Sequence, residues 1–278
     1  MGRALLLGLC LSAAPVLADT WPELVLQAEH PVEGMRGGNL SGLALCQGEM
    51  WTVSDRDDDQ IYRLDTRYAE WQAEALSIDV PPPPESGLPW GVRMMHKAVS
   101  PLRGGDLDFE GISCDEAGNR YVVSETHAAV LQVPPIGEPA WLKIDPALVR
   151  QARGSGMLLH FNALFEGIAV NPQGTQLWLA AERERRGLLT LRKQQSVWNC
   201  EGGCVVMSEG GLEQPPARLK AKAQQKDFAD LALFDGKLFT LERMAYRICR
   251  RTPATGAVER CWSFANDALT DARRYNSG

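Results

Sequence analysis

Acidic residues recur at the ends of short apolar segments along this 278-residue chain. One set follows the second apolar segment of four similar units and comprises Asp55, Glu125, Glu182 and Glu242. A second set opens the first apolar segment and comprises Glu110, Glu166 and Asp230, with Asp106 and Asp108 preceding Glu110 at alternate positions. Carboxylates that cluster raise one another's pKa, so they need cations. A hard metal ion such as Ca²⁺, which takes roughly 6–8 oxygen ligands, is a suitable one.

Basic residues accompany these acids. Arg56, Arg183 and Arg243 directly follow three of them and are expected to neutralise part of the cluster. His127, two residues after Glu125, is a candidate acid–base group or metal ligand. The alternative is that the repeated acids and arginines are ion pairs between neighbouring units, which fix register and take no part in chemistry.

The elements that carry these residues repeat four times. Each unit consists of an apolar segment, a tight turn and a second apolar segment, and two further β-type segments follow. Four strands per unit and recurrence at this spacing are typical of a β-propeller. We therefore predict an all-β propeller of four-stranded antiparallel blades, with four complete repeats and five or six blades in the full ring. Its innermost strands would line a central channel and bring the acids of several blades to one face.

Other segments lie outside the repeats. Met1 to Ala18 has a basic start, an apolar stretch and a small-residue end, which predicts a cleaved signal peptide. Residues 19–278 are then expected to form one propeller domain with no membrane insertion, although the completeness of the last blade stays open. Arg93–Leu102 is interpreted as a further strand, Pro146–Arg153 as a short helix, and Leu24–Val32 as a strand donated to the last blade.

Six cysteines remain after removal of this segment, and an even number in an exported chain favours disulfides. Cys249 and Cys261 flank a loop symmetrically and are expected to face each other in a hairpin. Cys200 and Cys204 could close a small ring, with a zinc site as the alternative. The last two, Cys46 and Cys114, stand near equivalent points of neighbouring units, one residue out of phase, which leaves buried thiols as the alternative to a bridge.

The formal charge of −6 provides no basic surplus for nucleic acid and argues against adhesion to anionic lipid. A small-molecule substrate and a monomeric state are expected instead.

The motifs of the four units together resemble those of the phytase-like propeller family, often described as "esterase-like activity of phytase". The matching pairs are Asn39–Ala44 with Val53–Arg56, Asp108–Ile112 with Ser124–Glu125, Phe165–Ala169 with Ala181–Arg183, and Asp227–Leu231 with Leu241–Arg243. The resemblance covers about Leu40 to Phe264. It implies an exported bacterial propeller that hydrolyses esters or phosphate esters. By analogy with β-propeller phytases it also implies bound Ca²⁺ and basic residues that hold substrate phosphates.

The sequence thus predicts a metal-dependent hydrolase of phosphate or carboxylic esters, periplasmic or secreted. The expected catalytic groups are Glu166, Glu110, Glu182 and His127, and the substrate-binding groups are Arg56, Arg183 and Arg243. The expected metal ligands are Asp55, Glu110, Glu125, Glu166, Glu182, Asp230 and Glu242. A non-catalytic propeller that binds a ligand or protein partner on the same face is the alternative, and a sugar-lactone hydrolase is another.

Overall fold

Most of the strands form four largely antiparallel sheets that follow one another in sequence. The structure, a computed structural model, describes residues 21–103, 105–216 and 220–269, so the expected signal peptide lies outside the described residues. In the first three sheets, the innermost strand contacts the innermost strand of the following sheet. This is the arrangement of β-propeller blades, and it confirms the predicted fold class.

The first two blades follow the predicted order of strands. Blade 1 contains β1 (Val32–Glu33), β2 (Leu43–Cys46), β3 (Glu49–Thr52), β4 (Gln60–Asp65) and β5 (Trp71–Ser77). Blade 2 contains β6 (Phe109–Cys114), β7 (Arg120–Ser124), β8 (Ala129–Val133) and β9 (Ala140–Trp141). All neighbours are antiparallel except β1, which adds in parallel to the outer edge of blade 1.

Blades 3 and 4 complete the set. Blade 3 contains β10 (Lys143–Ile144), β11 (Phe165–Val170), β12 (Gln176–Ala181), β13 (Arg185–Gln194), β14 (Val197–Asn199) and β15 (Val205–Gly210). After a two-stranded sheet of β16 (Leu212–Glu213) and β17 (Gln224–Gln225), blade 4 contains β18 (Asp230–Phe234), β19 (Lys237–Glu242), β20 (Arg247–Arg251) and β21 (Val258–Ser263). Strand β10 leaves blade 2 and pairs in parallel with β14, which links the two blades.

Three helices lie outside the sheets: α1 (Trp90–Arg103), α2 (Ala147–Gly154) and α3 (Ala265–Ala268). The short helix predicted at Pro146–Arg153 is confirmed as α2. The strand predicted at Arg93–Leu102 is wrong, because this segment is helical. Val92, His96 and Val99 are its more buried residues, and their spacing of four and three is the period of a helix rather than of a strand.

Glycine is required where the innermost strands of neighbouring blades touch. A Cβ atom at Gly42 would lie 2.7 Å from the carbonyl oxygen of Glu110, and a Cβ atom at Gly111 would lie 2.5 Å from that of Glu166. These distances are too short for any side chain, so the strand backbones are in direct contact. The centre of the ring is therefore packed main chain between these blades rather than a wide channel.

Asp230 stands where the other three units have this glycine. Its carboxylate accepts hydrogen bonds from its own blade, at Leu231 N (2.7 Å), and from Leu43 N of blade 1. This contact joins the last blade to the first. The described residues thus form a ring of four blades, and the expectation of five or six is wrong.

The hydrophobic core is divided among the interfaces between blades. One cluster, around Ile112, joins blades 1 and 2. Another, around Ile168, joins blades 2 and 3 with α2, and a third, around Leu231, joins blades 3 and 4. No such cluster of described residues joins blades 4 and 1, where Phe239 and Trp262 stay partly exposed. Three interfaces are therefore held by buried apolar surface and the fourth is not.

Three disulfides are present: Cys46–Cys114, Cys200–Cys204 and Cys249–Cys261. The last bridges directly paired residues of β20 and β21, as predicted. Cys46 and Cys114 also form a bridge rather than buried thiols, and it joins the innermost strands of blades 1 and 2. Cys200 and Cys204 form the small ring, so they are not free to act as zinc ligands.

The segment before blade 1 crosses the outside of the interface between blades 4 and 1. Glu23 forms a parallel bridge with Ser263 at the edge of blade 4, whereas Val32 and Glu33 pair with blade 1. The predicted donation to the last blade is therefore limited to the beginning of this segment. In the described part of the chain, no helix has the length and apolar character that a membrane-spanning helix needs.

Candidate functional site

Two β-bulges direct glutamates to one rim of the ring. In blade 2, Phe109 pairs with Ser124 and Gly111 with Val123, which leaves Glu110 as the extra residue. The same shift in blade 3 leaves Glu166 as the extra residue. A bulge re-aims the side chain of the extra residue and is common next to active sites. Because Gly111 lies against the carbonyl of Glu166, the two bulged glutamates belong to strands in direct contact.

The first group of acids, which we call triad A, spans blades 1 and 2. It consists of Asp55, Asp108 and Glu110, each of which offers an oxygen within 4.8 Å of the others. Asp108 adopts a positive φ of 55° and is buried, and its carbonyl oxygen accepts a hydrogen bond from Glu125 N (2.9 Å). Such a conformation is uncommon for a residue other than glycine. It fixes the Asp108 side chain between the two blades.

The second group, triad B, spans blades 2 and 3. Glu125, Glu166 and Glu182 again offer oxygens within 4.8 Å of one another. Glu125 and Glu182 end the second strands of their blades and are almost fully buried. Glu125 Oε1 accepts a hydrogen bond from Leu164 N (3.2 Å), which anchors the loop that leads into blade 3.

Electrostatics connect the two triads. Burial, and then the carboxylate of Glu166, raise the pKa of Glu110 far above its ordinary value. Burial and Glu166 likewise raise the pKa of Glu125. For Glu166 itself, burial and the neighbouring Glu182 raise the pKa to about 8. Glu110 of triad A and the glutamates of triad B therefore act on one another as a single cluster that burial and repulsion disfavour in the ionised form.

Two of the predicted arginines meet this cluster at Glu182. Arg183 and Arg243 lie 2.9 Å and 3.2 Å from Glu182 Oε1, yet burial still raises the pKa of Glu182 to about 7. Its Oε2 is buried and has no hydrogen-bond partner among the described residues. Arg56 is about half exposed, and its guanidinium lies 3.9 Å from Asp55. The expected Arg183 and Arg243 thus reach the acids, whereas Arg56 stays at the solvent edge.

The donor set fits a hard divalent cation. All six ligating groups are carboxylates, which favour Ca²⁺ and Mg²⁺ over softer metals. The buried oxygens Asp55 Oδ1 and Glu182 Oε2 have no hydrogen-bond partner among the described residues. A buried carboxylate oxygen without a partner costs free energy. A cation between the carboxylates would remove this cost in both triads.

Two expected metal ligands lie elsewhere. Asp230 is occupied by the hydrogen bonds that join blades 4 and 1, and burial raises its pKa to about 7. Glu242 lies between blades 3 and 4 against Arg186 (2.9 Å), Arg251 (2.6 Å) and Arg247. These arginines hold its pKa below the ordinary value although burial alone would raise it. The structure therefore places neither carboxylate in a triad, and Glu242 lies in a network of ion pairs.

His127, expected as a catalytic group, lies outside both triads. Its Nδ1 is 3.4 Å from Ser124 Oγ, and its side chain lines a separate pocket with Asp58 and Asp106. Burial lowers the pKa of His127, so the imidazole is neutral near pH 7. The histidine is thus placed beside the acid cluster rather than in it.

The chain resembles known proteins in sequence and in fold. A family model described as "Phytase-like: Esterase-like activity of phytase" matches residues 36–250, which is more than half of the chain. No curated protein matches the chain by sequence.

Several solved structures are similar in fold at low identity. Glutaminyl cyclase from Myxococcus xanthus is 11% identical with a TM-score of 0.48, over 91% of this chain and 82% of that one. A virginiamycin B lyase from Staphylococcus aureus, solved with quinupristin, is 12% identical with a TM-score of 0.40, over 81% and 55% of the two chains. A gluconolactonase from Xanthomonas campestris is 10% identical with a TM-score of 0.40, over 79% and 60%. The chain spans little more than half the length of the lyase, and at these values none of the three supports an inference about activity.

Proposed function

Because the chain belongs to the phytase-like family, described by its esterase-like activity, we propose that it hydrolyses phosphate or carboxylic esters at the two acid triads with a divalent cation, Ca²⁺. The observation that supports this proposal is the convergence of six carboxylates from three blades, most of them with raised pKa values. A purely structural role would be served by matched ion pairs, as at Glu242.

Each triad would hold a cation through its carboxylates. Triad A offers Asp55, Asp108 and Glu110, and triad B offers Glu125 and Glu166 with the unpartnered Oε2 of Glu182. A bound divalent cation polarises an ester oxygen and lowers the pKa of water.

The chain's own groups supply proton transfer and charge stabilisation. Without a cation, burial and Glu182 raise the pKa of Glu166 to about 8, whereas a bound cation would hold Glu166 ionised, the form in which it can accept a proton from water as a general base. Arg183 and Arg243 are about one-quarter to one-third exposed, and each uses one guanidinium nitrogen on Glu182. Arg183 Nη2 also donates to the carbonyl oxygen of Asn162 (2.8 Å), and Arg243 Nε lies 4.0 Å from Asp227. The N–H groups not used in these contacts can donate to negative charge that develops on the ester.

The three disulfides support an oxidising compartment. Disulfides persist in secreted and periplasmic proteins and are rare in the cytosol. We therefore propose that the protein acts in the periplasm or outside the cell, as a monomer on small-molecule substrates.

Elemental analysis and a paired assay test this function. Purified protein is analysed for bound metal, and turnover of p-nitrophenyl phosphate, p-nitrophenyl acetate and gluconolactone is measured with Ca²⁺ or with EDTA. Glu166→Gln is compared with Glu138→Gln, an exposed acid in a loop of blade 2.

We expect Ca²⁺-dependent turnover that Glu166→Gln abolishes and Glu138→Gln leaves unchanged. Turnover that persists in folded Glu166→Gln would contradict the assigned site. Cation binding without turnover of any substrate would favour the non-catalytic propeller, and turnover of gluconolactone alone would favour the lactone hydrolase.

A further inference from the structure

A cavity lies beside the triads and takes no part in the chemistry described so far. It has a volume of about 800 Å³ and is bounded by α1, by the proline-rich segment Pro81–Pro84 and by loops of blades 1 and 2. Pockets for small organic ligands span roughly 300–1,000 Å³. We call it the strap pocket, after the proline-rich segment that forms one wall.

The wall of the strap pocket is fixed by contacts at both ends. Pro81 accepts a hydrogen bond from Trp141 Nε1 of blade 2 (2.8 Å) through its carbonyl oxygen. At the other end Leu88 is buried in the core between blades 2 and 3, and a Cβ atom at Gly87 would lie 3.3 Å from Val149 of α2. The cavity is therefore formed before any ligand arrives.

Arg93 and Lys97 present two cations to the pocket from successive turns of α1. Neither forms an ion pair with an acid among the described residues. Arg93 and Lys97 are both exposed, so they are free to bind an anion.

Two of the acids that line the pocket already have hydrogen-bond or ion-pair partners. The carboxylate of Asp58 accepts hydrogen bonds from Asp106 N (2.6 Å) and Leu107 N (2.9 Å). Asp59 is paired with Arg36 at 2.5 Å. The ion pair neutralises Asp59, whereas the backbone hydrogen bonds orient Asp58 without cancelling its charge, so an anionic group is expected at Arg93 and Lys97 of α1 rather than at the Asp58 end of the pocket.

Two of the three remaining acids give the pocket a second kind of recognition group, and the third, Asp106, lies beside triad A in the chain. Asp79 and Glu85 line it from the proline-rich side, beside the apolar surface of Pro81–Pro84. Ionised carboxylates only accept hydrogen bonds, so they select ligand groups that donate. A ligand that fits both walls has an anionic group for α1 and hydroxyl groups for Asp79 and Glu85.

The strap pocket adjoins the acid triads through the chain itself. Asp106 lines it and stands two residues before Asp108 of triad A. Thr126 also lines it and directly follows Glu125 of triad B. A molecule seated in the pocket would therefore have one end beside the carboxylates.

We propose that the strap pocket binds a hydroxylated organic anion, with Arg93 and Lys97 on its phosphate or carboxylate group and Asp79 and Glu85 on its hydroxyl groups. Its role as the substrate pocket rests on the proposed hydrolase function, whereas the binding itself does not.

Direct binding measurements in EDTA test the site independently of hydrolysis. Affinities for glucose 6-phosphate, gluconate and inorganic phosphate are measured by calorimetry. The double variant Arg93→Ala/Lys97→Ala is compared with Lys143→Ala/Arg150→Ala, which removes the same charge from exposed positions elsewhere. Asp79→Asn tests the hydroxyl side.

We expect the α1 double variant to bind glucose 6-phosphate or gluconate at least tenfold more weakly, with the control pair unchanged. The preferred ligand of the two identifies phosphate or carboxylate as the anionic group. Asp79→Asn should lower the affinity for the organic anion and leave the affinity for inorganic phosphate unchanged.

Equal affinity in wild type and the α1 double variant, or no binding of any probe to wild type, would overturn the inference even if esters are hydrolysed. Loss of binding in that variant would support it even if no ester is turned over.

Discussion

Gly111 of blade 2 lies directly against the carbonyl oxygen of Glu166 in blade 3, where a Cβ atom would be only 2.5 Å from that oxygen. The contact packs two innermost strands together and, in doing so, places the bulged Glu110 next to the bulged Glu166. The same close approach thus serves the fold and the acid cluster.

Gly111→Ala is expected to destabilise the protein by about 3 kcal/mol, because the methyl group forces two strand backbones apart. Urea unfolding followed by circular dichroism measures the loss. Gly154→Ala is the control, since a Cβ atom there meets no atom within 4 Å and the residue is helical. Equal stability of the two variants would show that the innermost strands can separate without cost.

Removal of the cation should make stability depend on pH in a distinctive direction. The pKa values of Glu166 and Glu182 are raised in the folded state, to about 8 and about 7, from an ordinary value of 4.5. Between pH 4.5 and the raised pKa values, the folded state retains protons that the unfolded state has released, so stability falls as pH rises.

In EDTA we therefore expect a lower melting temperature at pH 8 than at pH 6, and added Ca²⁺ should reverse the difference. A melting temperature that rises over this interval, and does not respond to Ca²⁺, would contradict the presence of a buried carboxylate cluster.

Glutamine substitutions should affect stability oppositely in the two carboxylate environments. Glu166→Gln relieves repulsion in triad B, so without cation it is expected to raise the free energy of unfolding by about 1–3 kcal/mol at pH 8 while reducing the response to Ca²⁺ to that of triad A. Glu242→Gln leaves buried Arg251 without its counter-charge and Arg186 with Glu209 alone, and it is expected to cost about 3–5 kcal/mol.

Denaturant titrations of both variants at pH 8 in EDTA give the two changes. Each variant serves as the control for the other, because the chemical change is identical. Destabilisation of similar size in both would mean that triad B is held together by matched charges.

The disulfides should differ in their contribution to the free energy of unfolding according to the length of chain that each one closes. The Cys46–Cys114 bridge spans 68 positions and Cys200–Cys204 only 4. The chain-entropy model gives about 4 kcal/mol for the first and about 2 kcal/mol for the second. Paired Cys→Ser variants unfolded in denaturant should show this order, and a reversed order would mean that native contacts rather than loop length set the contribution.

Local patterns predicted most of the fold. Apolar runs separated by turn residues located the strands of all four blades, because turn chemistry and hydrophobic period are both local signals. The helix at Trp90–Arg103 was missed, since the exposed apolar residues Met94 and Met95 obscure the helical spacing of its more buried positions. The number of blades was also missed, because closure depends on Asp230 reaching Leu43, a contact between distant parts of the chain.

The candidate site was predicted in composition but not in geometry. Glu110, Glu166 and their partners could be named because acids recur at equivalent positions. Asp230 was grouped with these acids. The sequence itself shows, however, that Asp230 aligns with the glycine of the other units and not with the glutamate that precedes that glycine. Glu242 could not be distinguished from Glu182 by sequence, since its arginine neighbours come from other strands.

Buried apolar clusters join three of the four interfaces between blades, so the interface between blades 4 and 1 is the weakest one in the ring. Among the described residues, blades 4 and 1 are joined by the Asp230 carboxylate at the axis and by the segment before blade 1 at the perimeter, without a buried apolar cluster. Amide protons near this interface should therefore exchange before those of blades 2 and 3. Under a stretching force, the ring is expected to open first between blades 4 and 1, while the interfaces that carry triads A and B stay closed.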